Sequence, residues 1–502
     1  MNYTSTRGKI EPIEVAYAAA GIYAPDGGLY APEEMPRKFD DEDHDMLCLA
    51  WLSHKRRFAF LTGKFMKEIY IALPALFGDS SFAAEDFAGD IPSVHLRKGK
   101  CFLEMWHGPS GSSLELELRP LPMLYEYKIT AVAKGNPYIY GYNIEPNGER
   151  APLILVPSAG EEALALIEAT KKMTKGKIAV FYPVNETSEV NSRLLEENQS
   201  SRVIVRGVKA GINEISHHLS LFLKGAEAAA LAEKSGLYPM RGDSQNWFGL
   251  ISHVAHFASA YCGMIVKEHI KLGDWINLAI PYDETMELAA MAFCAKDMGL
   301  KVDKIICPAP ADSILYKLVT KGELDADCFK DGMFIPPVLE RLLHAVSDMD
   351  KDFICSVIEK LEKDGYYKLP NDLAKKLQDA FYFYRPTADE IKSAIKEHMQ
   401  FESYPMTQST AATALALDKY KQEYADEKSS LVVAGENPYK ESVEILAILG
   451  NSTVRPWSEA VKELAAISSI PAPEFILNLN DAGNSKIVDL NDMAGEIAGF
   501  MK

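Results

Sequence analysis

The sequence predicts an α/β protein with mainly parallel sheets and helices on both faces. Short apolar runs alternate with amphipathic stretches of helical length from about residue 150 onward, the pattern of strand–helix units. The runs are nearly continuous rather than alternating, as strands covered on both faces require. At 502 residues, 47% hydrophobic and 25% charged, the chain has the composition of a globular protein long enough for two or three cooperating lobes.

In chain order, residues 1 to about 95 read as mostly helical, on the apolar periodicity of Met46 to Leu61. The Pro-, Gly- and Asn-rich segment from Gly135-Asn136-Pro137 to Asn147-Gly148 reads as a surface excursion between lobes. Leu153-Ile154-Leu155-Val156 then predicts a strand before a helix over Glu162–Thr170. Ile178–Tyr182 precedes a helix over Ser188–Asn198, and Val203–Val205 precedes one over Ile212–Glu233. Ile276–Ile280 leads into a helix over Thr285–Met298, and Val302–Cys307 follows as a strand. Residues 335–420 are helix-rich, and Leu431–Val433 predicts one more strand. No internal repeat or low-complexity tract is present.

Composition excludes several classes of function. The formal net charge of −18 repels phosphates, so nucleic acid is not an expected partner. No run of about 18 apolar residues stands out, and Met1-Asn2-Tyr3-Thr4-Ser5 lacks a signal pattern, so no membrane is expected. Seven cysteines without a C-x-x-C pair read as buried thiols of a cytoplasmic protein rather than a disulfide or zinc framework.

Six segments in order resemble threonine synthase. They are Tyr3-Thr4-Ser5-Thr6-Arg7-Gly8 with Ala24-Pro25-Asp26-Gly27-Gly28-Leu29-Tyr30-Ala31-Pro32-Glu33; His107-Gly108-Pro109; Phe181-Tyr182-Pro183; Asn246-Trp247; Ala260-Tyr261; and Leu339-Glu340-Arg341-Leu342-Leu343. The resemblance implies a fold-type-II pyridoxal-phosphate architecture, two α/β lobes closing on a cofactor, behind an N-terminal region over residues 1–95. The two lobes would occupy 96–502, the smaller one roughly 140–240. It also implies conversion of O-phosphohomoserine to threonine. That chemistry needs a lysine for the imine, a glycine-rich loop for the cofactor phosphate and a second anion site.

The sequence departs from the family at each of these three places. The lysine of a pattern close to HGPTLAFKD falls on Leu114, which cannot form an imine. Leu114, Leu116 and Leu118 alternate as in a strand, and Pro120 and Pro122 interrupt any helix that follows. The nearest downstream lysine, Lys128, lies about four helical turns away at roughly 1.5 Å per residue. The phosphate loop VPTGNFGN becomes Ile280-Pro281-Tyr282-Asp283-Glu284-Thr285-Met286-Glu287, losing both glycines and gaining three carboxylates. Like charges about 4 Å apart repel by roughly 4 kcal/mol at an effective dielectric of about 20, so a phosphate is disfavoured there. The segment VATSGDTGKAALE becomes Val156 to Glu168, where Gly160 survives and Glu161 and Glu162 open the helix. DPHTA becomes Thr407-Gln408-Ser409-Thr410-Ala411, and a histidine–proline pair becomes Asn437-Pro438.

These departures predict a threonine-synthase-like pseudoenzyme with a binding or regulatory role, no pyridoxal phosphate and no catalytic residue. An intact threonine synthase is a candidate partner. Glu161, Glu162, Asp283, Glu284 and Glu287 would form an acidic cleft for a metal ion or small cation. The alternative is an active threonine synthase with a displaced lysine. A further alternative is a different, cofactor-free activity in the acidic cleft, whereas His107 beside Ser110, Ser112 and Ser113 reads as structural rather than as the base of a hydrolase.

Overall fold

The computed structural model describes residues 2–14, 18, 21–33, 93–97, 100–108, 110–118, 121–133, 140–146, 148–171, 173–242, 245–325, 335–450, 456–480, 483 and 486–502. Two parallel sheets organise them. One has five strands in the order Leu237–Arg241, Ala151–Pro157, Lys177–Pro183, Val203–Val208 and Lys486–Val488, every pairing parallel. The other has six strands in the order Phe381–Phe383, Val302–Cys307, Ile276–Ala279, Ser430–Ala434, Lys100–Glu104 and Ser93–Arg97. Only its last pairing, between Ser93–Arg97 and Lys100–Glu104, is antiparallel.

Strand alternation divides the core. Ile154, Val156, Ile178 and Val180 project into the large cluster that also takes up Leu103, Leu278 and Ile305. Leu153, Leu155, Ala179 and Phe181 project the other way, against Ile215, Leu219, Met493 and Ile497. A strand feeding apolar residues to both faces appears in sequence as a continuous apolar run, which is why these strands were legible. At the centre lies the helix Trp247–Val266, packed against Leu114–Leu118 and Glu287–Asp297. By length and composition it could cross a membrane, a feature the sequence reading passed over, yet 88% of its most apolar window is buried inside the protein.

Several expectations need correction. The described start of the chain is a small antiparallel sheet of Asn2–Ser5, Ile13–Glu14 and Tyr30–Pro32 rather than helix. The periodic stretch Met46–Leu61 lies outside the described residues. Leu114–Leu118 is a short helix, not a strand. Five residues are too few for periodicity to decide, and burial of Glu117 and Leu118 against the neighbouring helices settles the conformation. Pro122 sits in the first turn of the helix Leu121–Glu126, where its missing N–H costs nothing, and Pro120 lies outside the described residues. The predicted helix Ile212–Glu233 is two helices broken at the extended Gly225. Within the predicted excursion, Tyr140–Pro146 is a strand paired antiparallel with Tyr127–Ala133, and residues 135–139 and 147 lie outside the described residues.

The segments that carry the family resemblance hold one another. Thr6 and Arg7 both bond Glu340, the Arg7 Nη2–Glu340 Oε2 distance being 3.0 Å. Arg341 Nη1 donates to the Tyr30 carbonyl at 2.8 Å. Asp26 accepts from the Ser5 hydroxyl at 2.8 Å, and Asn246 accepts from the Phe248 amide, capping the central helix.

Candidate functional site

A cavity of about 240 Å³ opens where the carboxyl ends of three strands converge. The loops after Ala151–Pro157, Ile276–Ala279 and Ser430–Ala434 supply Glu161 and Glu162, then Tyr282, Asp283, Thr285 and Glu287, then Gly435 and Glu436. Ser112, Ser113 and Leu114 enter from a fourth side, and Thr407, Ser409 and Thr410 from a fifth. Leu114 therefore lies in the cleft, and among the described residues that line it there is no lysine.

Four of the five predicted cleft carboxylates meet here: Glu161, Glu162, Asp283 and Glu287. Glu284 is corrected, since it is exposed on the loop and does not line the cavity. Met286 turns into the core, 2% exposed, with a left-handed φ of 64° at the position of the family's second glycine. The backbone shape of a glycine loop is thus kept while a side chain occupies it.

Both helix starts that the resemblance assigns to phosphates are capped by the chain itself. Asp283 Oδ1 accepts the Glu287 amide at 3.1 Å and the Thr285 hydroxyl at 2.5 Å. Ser158 Oγ accepts the Gly160 and Ala163 amides at 3.1 and 3.2 Å. Amides already bonded to an internal oxygen are withdrawn from an incoming anion.

The electrostatics are those of an acidic, partly dry cleft. Burial raises the Asp283 carboxyl above the ordinary range, opposed by its bonds to Thr285 and Glu287. Glu436 stands open to the cavity, yet desolvation by the cleft walls and then the Glu161 carboxylate push it up to about 7. Burial drives His253 down to about 4, although Glu117 Oε2 lies 2.6 Å from its Nε2. The ring has no exposure with which to hold a charge, so the neutral form is the better description at neutral pH.

Sequence reasoning missed Glu117, His253, Glu436 and Lys440. Lys440 is buried behind the lining, with Nζ donating to the Ser110 carbonyl at 2.6 Å and paired with Glu161. No local pattern signals such a pair, since 279 positions separate its members. His107 Nε2 lies 2.8 Å from Glu104 Oε2, and Ser110 and Ser112 face each other at 3.4 Å.

Comparison with known proteins joins this scaffold to one family. Residues 2–59 match the model of the threonine synthase N terminus. Threonine synthase-like 1 of Pongo abelii is 24% identical over 69% of this chain and 46% of its own length. Threonine synthase-like 2 of Rattus norvegicus is 25% identical over 76% of this chain and 75% of its own. The N-terminal segment and these relatives make the chain similar to threonine synthases. It spans about half the length of the threonine synthase-like 1 proteins it matches, 46% in the Pongo abelii case. The fold agrees: the pyridoxal-phosphate-bound threonine synthase of Brucella melitensis superposes with a TM-score of 0.73 at 17% identity, covering all of both chains. The yeast threonine synthase gives 0.76 at 15%, covering 100% of this chain and 98% of that one. The threonine-synthase-like body is a two-lobed, fold-type-II α/β scaffold.

Proposed function

We propose that this chain is a threonine-synthase-like pseudoenzyme whose cleft has become a binding site for a cationic ligand. The observation that carries the reading is Leu114, which lines the cleft where the resemblance places the imine-forming lysine. The remaining residues do not fit pyridoxal phosphate either. Its phosphate would meet the Asp283 carboxylate already bonded to the Glu287 amide, with Glu161, Glu162 and Glu436 across the cavity. Repulsion of roughly 4 kcal/mol per close carboxylate at a dielectric of about 20 opposes a dianion and favours an amine or a metal ion. Lys440, the lysine an active enzyme would most readily recruit, is held by Ser110 and Glu161 behind the lining.

Borohydride reduction in the presence of pyridoxal phosphate, followed by peptide mapping, tests this. The expected result is scattered labelling of surface lysines only. One stoichiometric adduct on a single lysine at the cleft, Lys440 above all, would sink the proposal in favour of an active threonine synthase.

A further inference from the structure

One turn on from Leu114, three buried side chains from three helices converge. Glu117 comes from Leu114–Leu118, His253 from the central helix and Glu287 from the first turn of Glu287–Asp297. Each offers a ligand atom, and these atoms all lie within 4.8 Å of one another. Their exposures are 0%, 1% and 5%, so none owes its position to solvent. His253 and Glu287 line the cavity, whereas Glu117 stands behind them. Neither ring nitrogen of the fully enclosed His253 has a hydrogen-bond partner, and Nε2 faces the cluster, 2.6 Å from Glu117 Oε2.

We propose that Glu117, His253 and Glu287 bind one divalent first-row transition-metal ion, such as Mn²⁺ or Zn²⁺, in the inner wall of the cleft. Two carboxylates held this close and out of water repel strongly unless a cation lies between them. A divalent ion cancels both charges and gives the enclosed imidazole a partner. One nitrogen and two carboxylate oxygens suit Mn²⁺, Fe²⁺ or Zn²⁺ better than Ca²⁺ or Mg²⁺, which prefer all-oxygen shells. Three protein ligands leave a coordination position open on the side where His253 and Glu287 face the cavity, so a cleft ligand with an oxygen or nitrogen donor would complete the shell. The site extends the cation-binding reading of the cleft, with which it shares Glu287.

The full chain, stripped with a chelator, is titrated with Mn²⁺ alone at fixed ionic strength and followed by electron paramagnetic resonance. One bound Mn²⁺ per chain is expected, with imidazole-nitrogen coupling in the pulsed spectrum. Glu117→Gln and His253→Gln should each weaken binding by at least about tenfold. Metal should raise the melting temperature of the natural chain and leave that of the variants unmoved. Absence of stoichiometric binding, binding without nitrogen coupling, or full affinity in both variants would overturn the site, leaving a proton shared among the three groups. Should the variants fail to fold, the nitrogen coupling in the natural chain decides. Borohydride trapping is read separately: a metal ion beside a trapped cofactor keeps this site and removes the pseudoenzyme, and neither signal does the reverse.

Discussion

On the proposed reading, Leu114 stands in the cleft where the resemblance places the imine-forming lysine. The leucine packs against the core, and Glu117 one turn on pairs with His253 rather than facing solvent. Leu114→Lys by itself is therefore expected to give no threonine from O-phosphohomoserine. The new ammonium would enter beside Glu161 and Glu162, and the phosphate position would still be taken by Asp283. Phosphate release from O-phosphohomoserine with added pyridoxal phosphate is the measurement, and turnover by this one variant would show that the self-capped loop is no barrier. The place of Leu114 in the cleft was legible in the sequence because a motif fixed its position. The Lys440–Glu161 pair was not, since no motif joins those two residues.

Among the elements, the strand-to-helix turn at Gly160 shows what backbone geometry demands. Its φ is 145°, and a Cβ built there would lie 2.7 Å from the side chain of Asn191. Asn191 in turn donates to Glu161 at 3.3 Å, so the turn sets one of the cleft carboxylates. Gly160→Ala should cost roughly 2 kcal/mol, mostly backbone strain, since the asparagine can swing aside. Urea unfolding measures it, and an alanine variant as stable as the natural chain would refute the strain. The strand runs before such turns were readable from continuous hydrophobicity. The Leu114–Leu118 helix was not, because an alternating five-residue stretch suits either conformation until its packing partners are known.

Across the whole molecule, acid and base are unevenly placed. His344 is 5% exposed and is pushed down to about 4 by burial, then by Arg341 and Lys351. A histidine whose folded pKa is depressed supplies stability that is complete above its unfolded value near 6.5 and is lost as pH falls towards 4. Glu436, raised to about 7 from 4.5, acts in the opposite sense, its contribution fading as pH rises between those values. Comparing the natural chain with His344→Gln isolates the first effect. Between about pH 7 and about pH 5 the stability difference between them should shrink by about 2 kcal/mol. Urea titrations at both pH values test this, and a difference that does not change with pH would mean that His344 is not held neutral by burial.

The sequence by itself determined the resemblance to threonine synthase, the parallel α/β body and the leucine at the position of that motif's lysine. Each is written in local patterns: apolar runs, helical periods and short motifs whose residues act as neighbours. Even the resemblance segments proved local in sequence but not in purpose, since Thr6 and Arg7 reach Glu340 across more than 300 positions. Only the tertiary structure decided which carboxylates share the cleft, sending Glu284 outward while bringing in Glu436. It also gathered Glu117, His253 and Glu287 from three helices. The physical reason is that the field at a site is summed over groups brought close by packing, and packing is settled by the whole core rather than by any one stretch of chain.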